Sequence, residues 1–184
     1  MQLIKKPFVF ARHAQSADNA AGKIGGSTDS PLSNLGVLQA KAARPYLDRP
    51  WSAIYTSDLM RTIQTAELAS PRHTLTQMTE LRERHWGVFE GQPIMDDMNY
   101  FETPPEGEPW SDFLERTVNA VNTILLTHEA PLIIAHSGIY RALQHVISGS
   151  PYGPRIGNAD PVLITPNTNT SHGWDIIPFK GQLL

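Results

Sequence analysis

Two histidines, two arginines and a carboxylate are spaced along this chain so that they can meet at one edge of a sheet. The apolar run Phe8-Val9-Phe10-Ala11 ends directly in Arg12-His13, and Pro131-Leu132-Ile133-Ile134-Ala135 ends directly in His136-Ser137. Arg61 follows a third short run, Ala53-Ile54-Tyr55-Thr56, and falls in the first turn of the helix expected after it. Free backbone N–H groups and the helix dipole favour an anion there. Such a set suits a phosphate monoester, which is largely dianionic near neutral pH. A guanidinium donates two hydrogen bonds in a fork and keeps its charge when partly desolvated. One histidine can attack phosphorus if its attacking nitrogen is bare and a carbonyl holds the other ring N–H, fixing the tautomer. The second is expected to stay protonated and stabilise the equatorial oxygens of the transferring group.

The leaving oxygen also needs a proton. The stretch ELRERHWGVFEG, Glu80 to Gly91, offers carboxylates. We take Glu83 as general acid and then base, a choice that spacing alone does not make over Glu80 or Glu90. A carboxyl group beside a bound dianion holds its proton more tightly, as this chemistry requires. His73, His85, His128, His145 and His172 show no ligand-type spacing, so neither a metal nor another cofactor is expected. The absence of cysteine removes disulfides, thiolate metal sites and cysteine nucleophiles. A serine hydrolase built on Ser137 fails for want of a Gly-x-Ser-x-Gly elbow.

These side chains must be positioned by a fold. At 184 residues the chain is expected to form one domain over residues 1–184. Its 15 basic and 18 acidic residues give a net charge of −3, so there is no basic footprint for nucleic acid and any phosphate-binding charge must be local. Met1 to Pro7 is followed by too few apolar residues for a signal sequence or a membrane span, and a cytoplasmic location is expected. Leu35, Leu38, Ala42, Ala43 and Tyr46 mark a helix over Asn34–Leu47 with Ser33 as its cap, and Ser57 or Asp58 can cap a helix running through Leu68. Thr74–Thr76 is a weaker strand. Helical spacing resumes from Ser111 to about Leu126 and from Ile139 to Ile147, and Val162–Thr165 and Trp174–Ile177 look like late strands around a polar turn. This alternation predicts an α/β protein with helices on both faces of a mainly parallel sheet. Ligands of such sheets bind beyond the carboxyl ends of the strands. Gly87 to Trp110, punctuated by glycine and proline, reads as a long surface excursion of the kind that forms lids.

Arg12-His13, Arg61, Glu83 and His136, in this order and at these separations, resemble the histidine phosphatase superfamily, the phosphoglycerate mutase-like fold. Further matches are Ser16 and Asn19 in the loop after His13, then Thr28-Asp29-Ser30-Pro31-Leu32-Ser33 with Gly36, Tyr55-Thr56-Ser57-Asp58-Leu59-Met60-Arg61, Leu81-Arg82-Glu83-Arg84-His85-Trp86-Gly87, and Ala135-His136-Ser137-Gly138. The resemblance implies a three-layer αβα fold. It implies a phosphorylated His13, a phosphoryl group held by Arg12, Arg61 and His136, and phosphate contacts from Asn19, Ser16, Thr28 and Ser137. Ala14 stands where the family carries glycine, which is expected to put a Cβ beside the pocket and to strain any positive φ. Trp86 and Phe89 are expected to be packing residues. The family holds phosphatases and mutases. Gly91 to Trp110 is short and carries Asp96, Asp97, Glu102, Glu106 and Glu108 with no lysine or arginine, unlike the longer, basic insertion of the cofactor-dependent mutases. The resemblance therefore implies a metal-independent phosphomonoester hydrolase acting on a small-molecule phosphate ester, with no nucleic-acid or membrane partner. A mutase and a non-catalytic phospho-ligand binder are the alternatives. Substrate selectivity is expected in the Gly87–Trp110 excursion and in the late loop from Ser148 to Asn169; the physiological substrate and the oligomeric state are not legible.

Overall fold

Alternation along the first strand decides how the layers assemble. In the computed structural model, which describes residues 1–95 and 98–182, strand β1 (Phe8–Arg12) sends Phe8 and Phe10 to one face and Val9 and Ala11 to the other, the period-two geometry of a pleated strand. The first face packs on helices α4 (Trp110–Thr127) and α5 (Ser137–Ser148) through Val118, Val121, Ile124, Leu125, Ile139 and Leu143. The second packs on α2 (Asn34–Leu47) and α3 (Met60–Ala69) through Ala40, Ala43, Leu47, Ala66 and Ala69. A short helix, α1 (Ala17–Ala20), follows β1. Strands β2 (Ile54–Thr56), β3 (Leu75–Gln77), β4 (Leu132–Ala135), β5 (Pro161–Pro166) and β6 (Trp174–Pro178) complete a six-stranded sheet ordered β3-β2-β4-β1-β5-β6. The first four strands in that order pair in parallel, whereas β5 pairs antiparallel with both β1 and β6. The architecture is the three-layer αβα sandwich expected.

Local chemistry explains the element ends. Ser33 caps α2 by accepting the Gly36 N–H at 3.0 Å. Helix α3 departs from expectation, because Leu59 occupies its cap position and no side chain caps it. Ser57 and Asp58 are engaged elsewhere: Ser57 turns inward to His136, and Asp58 accepts two bonds from Arg82, each 2.6 Å. No helix among the described residues is long and apolar enough to cross a membrane. Asp96 and Asp97, counted above in the acidic excursion, lie outside the described residues.

Candidate active site

The parallel register of β1 and β4 brings the two histidines together. Arg12 pairs with Ala135, and the His13 N–H donates to the Ala135 carbonyl at 2.8 Å. The next residues, His13 and His136, therefore leave neighbouring strands about one inter-strand spacing apart, and their rings meet edge-on with centroids 5.2 Å apart. Beside them opens a cavity of about 450 Å³, lined by Arg12, His13, Ser16, Asn19, Arg61, Glu83 and Ser137 among others. His136 packs behind this lining, fully buried.

Each member of the cluster is held by identifiable partners. His13 Nδ1 lies 2.7 Å from its neighbour's carbonyl, Ala14 O. A carbonyl only accepts, so Nδ1 carries the proton and Nε2 is bare. His136 Nε2 lies 2.8 Å from Ser57 Oγ, while its Nδ1 is buried without a partner among the described residues. Arg61, 3% exposed, is clamped at one end, donating to the carbonyls of Thr28 at 2.6 Å and Gly26 at 2.7 Å. Arg12 reaches the Ile156 carbonyl at 3.4 Å. Asn19 and Ser16 form a reciprocal capping box at the start of α1.

Glu83 is fixed from two sides. Its carboxylate accepts the Arg84 N–H at 2.8 Å, the Gly138 N–H at 2.9 Å and the Ser137 hydroxyl at 3.4 Å, and so sits on the N-terminus of α5, where the dipole favours a negative charge. A Cβ on Gly138 would collide with that carboxylate, so glycine is required for the approach. From α4, Arg116 donates to the carbonyls of Glu80, Arg82 and Glu83 at 2.8, 2.9 and 3.1 Å, fixing the backbone that carries the carboxylate.

Burial shapes the protonation of the cluster. Desolvation, then the charges of Arg61 and Arg12, push His13 well below the ordinary histidine range, only partly opposed by the Ala14 carbonyl. His136 is pushed well below it by burial and then by Arg61, His13, Arg12 and Arg116. These influences favour the neutral ring in the absence of an anion, so the protonated His136 expected during transfer requires the bound phosphoryl group. Burial also lowers Arg12 and Arg61, with Glu83 pulling both back up, and a guanidinium keeps its charge under such shifts.

Other expectations change as well. The Thr28 side chain does not line the cavity; it donates to Glu90 at 3.2 Å, and its carbonyl holds Arg61. Ala14 is fully buried among Val9, Ala11 and Ala40, away from the lining, and is not at positive φ, so its Cβ is a core contact. Trp86 packs as expected, 7% exposed and edge-on to Tyr100, and also borders the cavity. Three further residues escaped the sequence reading. Asn158 Nδ2 donates to the His13 carbonyl at 2.9 Å from the late loop. Ser57 anchors His136, and its place within a matched motif was the available signal. Glu90, passed over in favour of Glu83, accepts the Ser27 N–H at 2.8 Å and hydroxyl at 2.9 Å and the Trp86 N–H at 3.0 Å, tying down the loop that clamps Arg61. Among the described residues no cluster of three or more histidine and carboxylate side chains is placed to hold a metal ion.

Residues 8–163 match the sequence profile of the histidine phosphatase superfamily, branch 1. The chain belongs to this family. It is 28% identical to the Arabidopsis thaliana protein named "Metal-independent phosphoserine phosphatase" over 173 residues, covering 82% of this chain and 72% of that one. It is 31% identical to the "Probable phosphoglycerate mutase GpmB" of Yersinia pestis (strain Pestoides F) over 159 residues, 76% and 74% of the two chains. The crystal structure of the alpha-ribazole phosphatase of Shigella flexneri superposes with a TM-score of 0.78 at 20% identity over 96% of this chain and 98% of that one, a likeness of fold. The family supports phosphatase or mutase-like activity and an enzyme of the phosphoglycerate mutase-like phosphohydrolase type.

Proposed function

We propose that the protein is a metal-independent phosphomonoesterase working through a phosphohistidine on His13. The observation that carries this reading is the place of His13, whose Nδ1 lies 2.7 Å from the Ala14 carbonyl, in the lining of a cavity that Arg12, Arg61 and Glu83 also line; that contact leaves Nε2 free to attack. In the first step the Nε2 lone pair forms the N–P bond while the bond from phosphorus to the leaving oxygen breaks, and Glu83 gives that oxygen its proton. Arg12, Arg61 and His136 hold the equatorial oxygens, with Asn19, Ser16 and Ser137 at the rim of the phosphate subsite and Thr28 acting through Arg61. In the second step Glu83 takes a proton from water, the water oxygen bonds to phosphorus and the N–P bond breaks. Inorganic phosphate leaves and His13 is restored. The arginines and His136 supply the charge stabilisation that Mg²⁺ gives other phosphoryl-transfer sites.

The test is phosphate release from a panel of esters in EDTA, beside His13→Ala, together with trapping of an acid-labile, base-stable phosphoryl-protein. The reading requires release and trapped label in the native protein and neither in the variant. Full activity in His13→Ala overturns it. Interconversion of 3- and 2-phosphoglycerate in the presence of 2,3-bisphosphoglycerate, without net release, identifies a mutase instead.

A further inference from the structure

The cavity extends beyond the phosphate cluster, and apolar side chains form part of its wall. Ile24, Ile94, Met95, Met98, Tyr152 and Ile156 reach it from three separate segments. Ile94, Met95 and Tyr152 are 48%, 42% and 53% exposed. Ile94, Met95 and Met98 belong to neither buried core cluster. The wall is nevertheless braced. The Tyr152 hydroxyl accepts the Tyr100 N–H at 3.1 Å and donates to Asn99 Oδ1 at 3.3 Å, tying the late loop to the excursion. Tyr100 packs edge-on against Trp86, Trp110 and Tyr152. Among the described lining residues Glu83 is the only acid. Lys23, Asn99, Arg141 and Arg155 also line the cavity.

We propose that the leaving group of the substrate is apolar: an alkyl or aryl alcohol whose hydrocarbon lies against Ile94, Met95 and Tyr152 while its phosphate occupies the His13 cluster. This rests on the phosphatase reading of that cluster. Exposed apolar side chains lining a cavity gain by being covered, and a hydrocarbon leaving group covers them where glycerate or serine does not.

The test is a ladder of methyl, butyl and hexyl phosphate with glycerol 3-phosphate, phosphoserine and 3-phosphoglycerate alongside. The alkyl alcohols have nearly the same acidity, so chain length changes contacts and not leaving-group chemistry. Specific activity as kcat/KM is expected to rise about two- to fourfold per methylene, the upper figure being that of a fully buried CH₂, and the slope to flatten in Ile94→Ser/Met95→Ser. The same ladder is read as affinity for the His13→Ala protein by calorimetry, which tests the wall independently of turnover. A slope in affinity without turnover by the native enzyme defeats the phosphatase reading and keeps the apolar subsite. Turnover with no slope, or with the polar esters preferred, overturns the apolar subsite and keeps the phosphatase. A slope that survives the double variant overturns the assignment to this wall.

Discussion

Acid should destabilise this protein through its two site histidines by an amount that can be worked out. Both rings are buried and held neutral, with folded pKa values well below the ordinary one. Their neutrality thus contributes stability that is fully present above the unfolded-state pKa of about 6.5 and is lost as pH falls below it toward the folded values. Between about pH 7.5 and about pH 5.5 a histidine that stays neutral in the native state costs roughly 1.4 kcal/mol, because only the unfolded chain takes up its proton, and two cost roughly 2.7 kcal/mol. The assay is urea unfolding across this range for the native protein and for His13→Asn/His136→Asn. Asparagine does not titrate, so the difference between the two pH slopes isolates the pair from every other ionisable group. Equal slopes would refute the claim that both rings are neutral in the unliganded fold.

Three other substitutions probe the supports. Glu90→Gln keeps an acceptor but loses the charge on bonds to Ser27, Thr28 and Trp86; a loss of about 1–2 kcal/mol, seen as a Tm drop of roughly 2–8 °C, should accompany a raised KM as the Arg61 clamp loosens. Ser57→Ala removes the partner of His136 Nε2 and should lower kcat about tenfold, with a displaced acid limb in the pH–rate profile; an unchanged profile would reduce Ser57 to a packing residue. Arg84→Met leaves the carbonyls of Tyr100, Glu102 and Glu108 without their donor, which should cost about 3 kcal/mol or more and open the excursion to limited proteolysis.

The frame of this fold was legible because its signals are local. The alternation in Phe8–Ala11, the apolar run before His136 and the Ser33 cap each act within a few residues, and each element appears within a residue or two of its expected bounds. The convergence of Arg12, His13, Arg61 and Glu83 on one cavity was legible only from the joint pattern, since each residue alone reads as a solvated charge or a satisfied core group. What was missed depends on long-range partners. Ser57 reads as a helix cap until the sheet brings His136 to it, 79 positions along the chain. Glu90 resembles any surface carboxylate until Ser27 and Thr28 fold onto it. Ala14 resembles a defect only while its backbone conformation and its neighbours are unknown. Protonation was the least legible property, because the sign of a histidine shift depends on whether burial or a bound anion dominates.

That dependence gives the site its direction. Two guanidinium groups stand beside two neutral imidazoles, with Glu83 facing them from the N-terminus of α5. One buried ring nitrogen, His136 Nδ1, has no hydrogen-bond partner among the described residues. A dianion bound between Arg12 and Arg61 changes the balance at His136, because its charge opposes the repulsion from the arginines and an oxygen can accept from Nδ1. The ring can then carry both protons, one directed to Ser57 Oγ and the other to the phosphoryl group. Proton uptake and anion binding are then linked. Affinity for vanadate or inorganic phosphate measured with His13→Asn, where His136 is the remaining site histidine, should strengthen as pH falls toward about 6, up to about tenfold per pH unit for one coupled proton after correction for the anion's own titration. The slope should vanish in His13→Asn/His136→Asn. An affinity independent of pH in the single variant would mean that His136 binds the anion as a neutral Nδ1–H tautomer, with the Ser57 hydroxyl donating to Nε2.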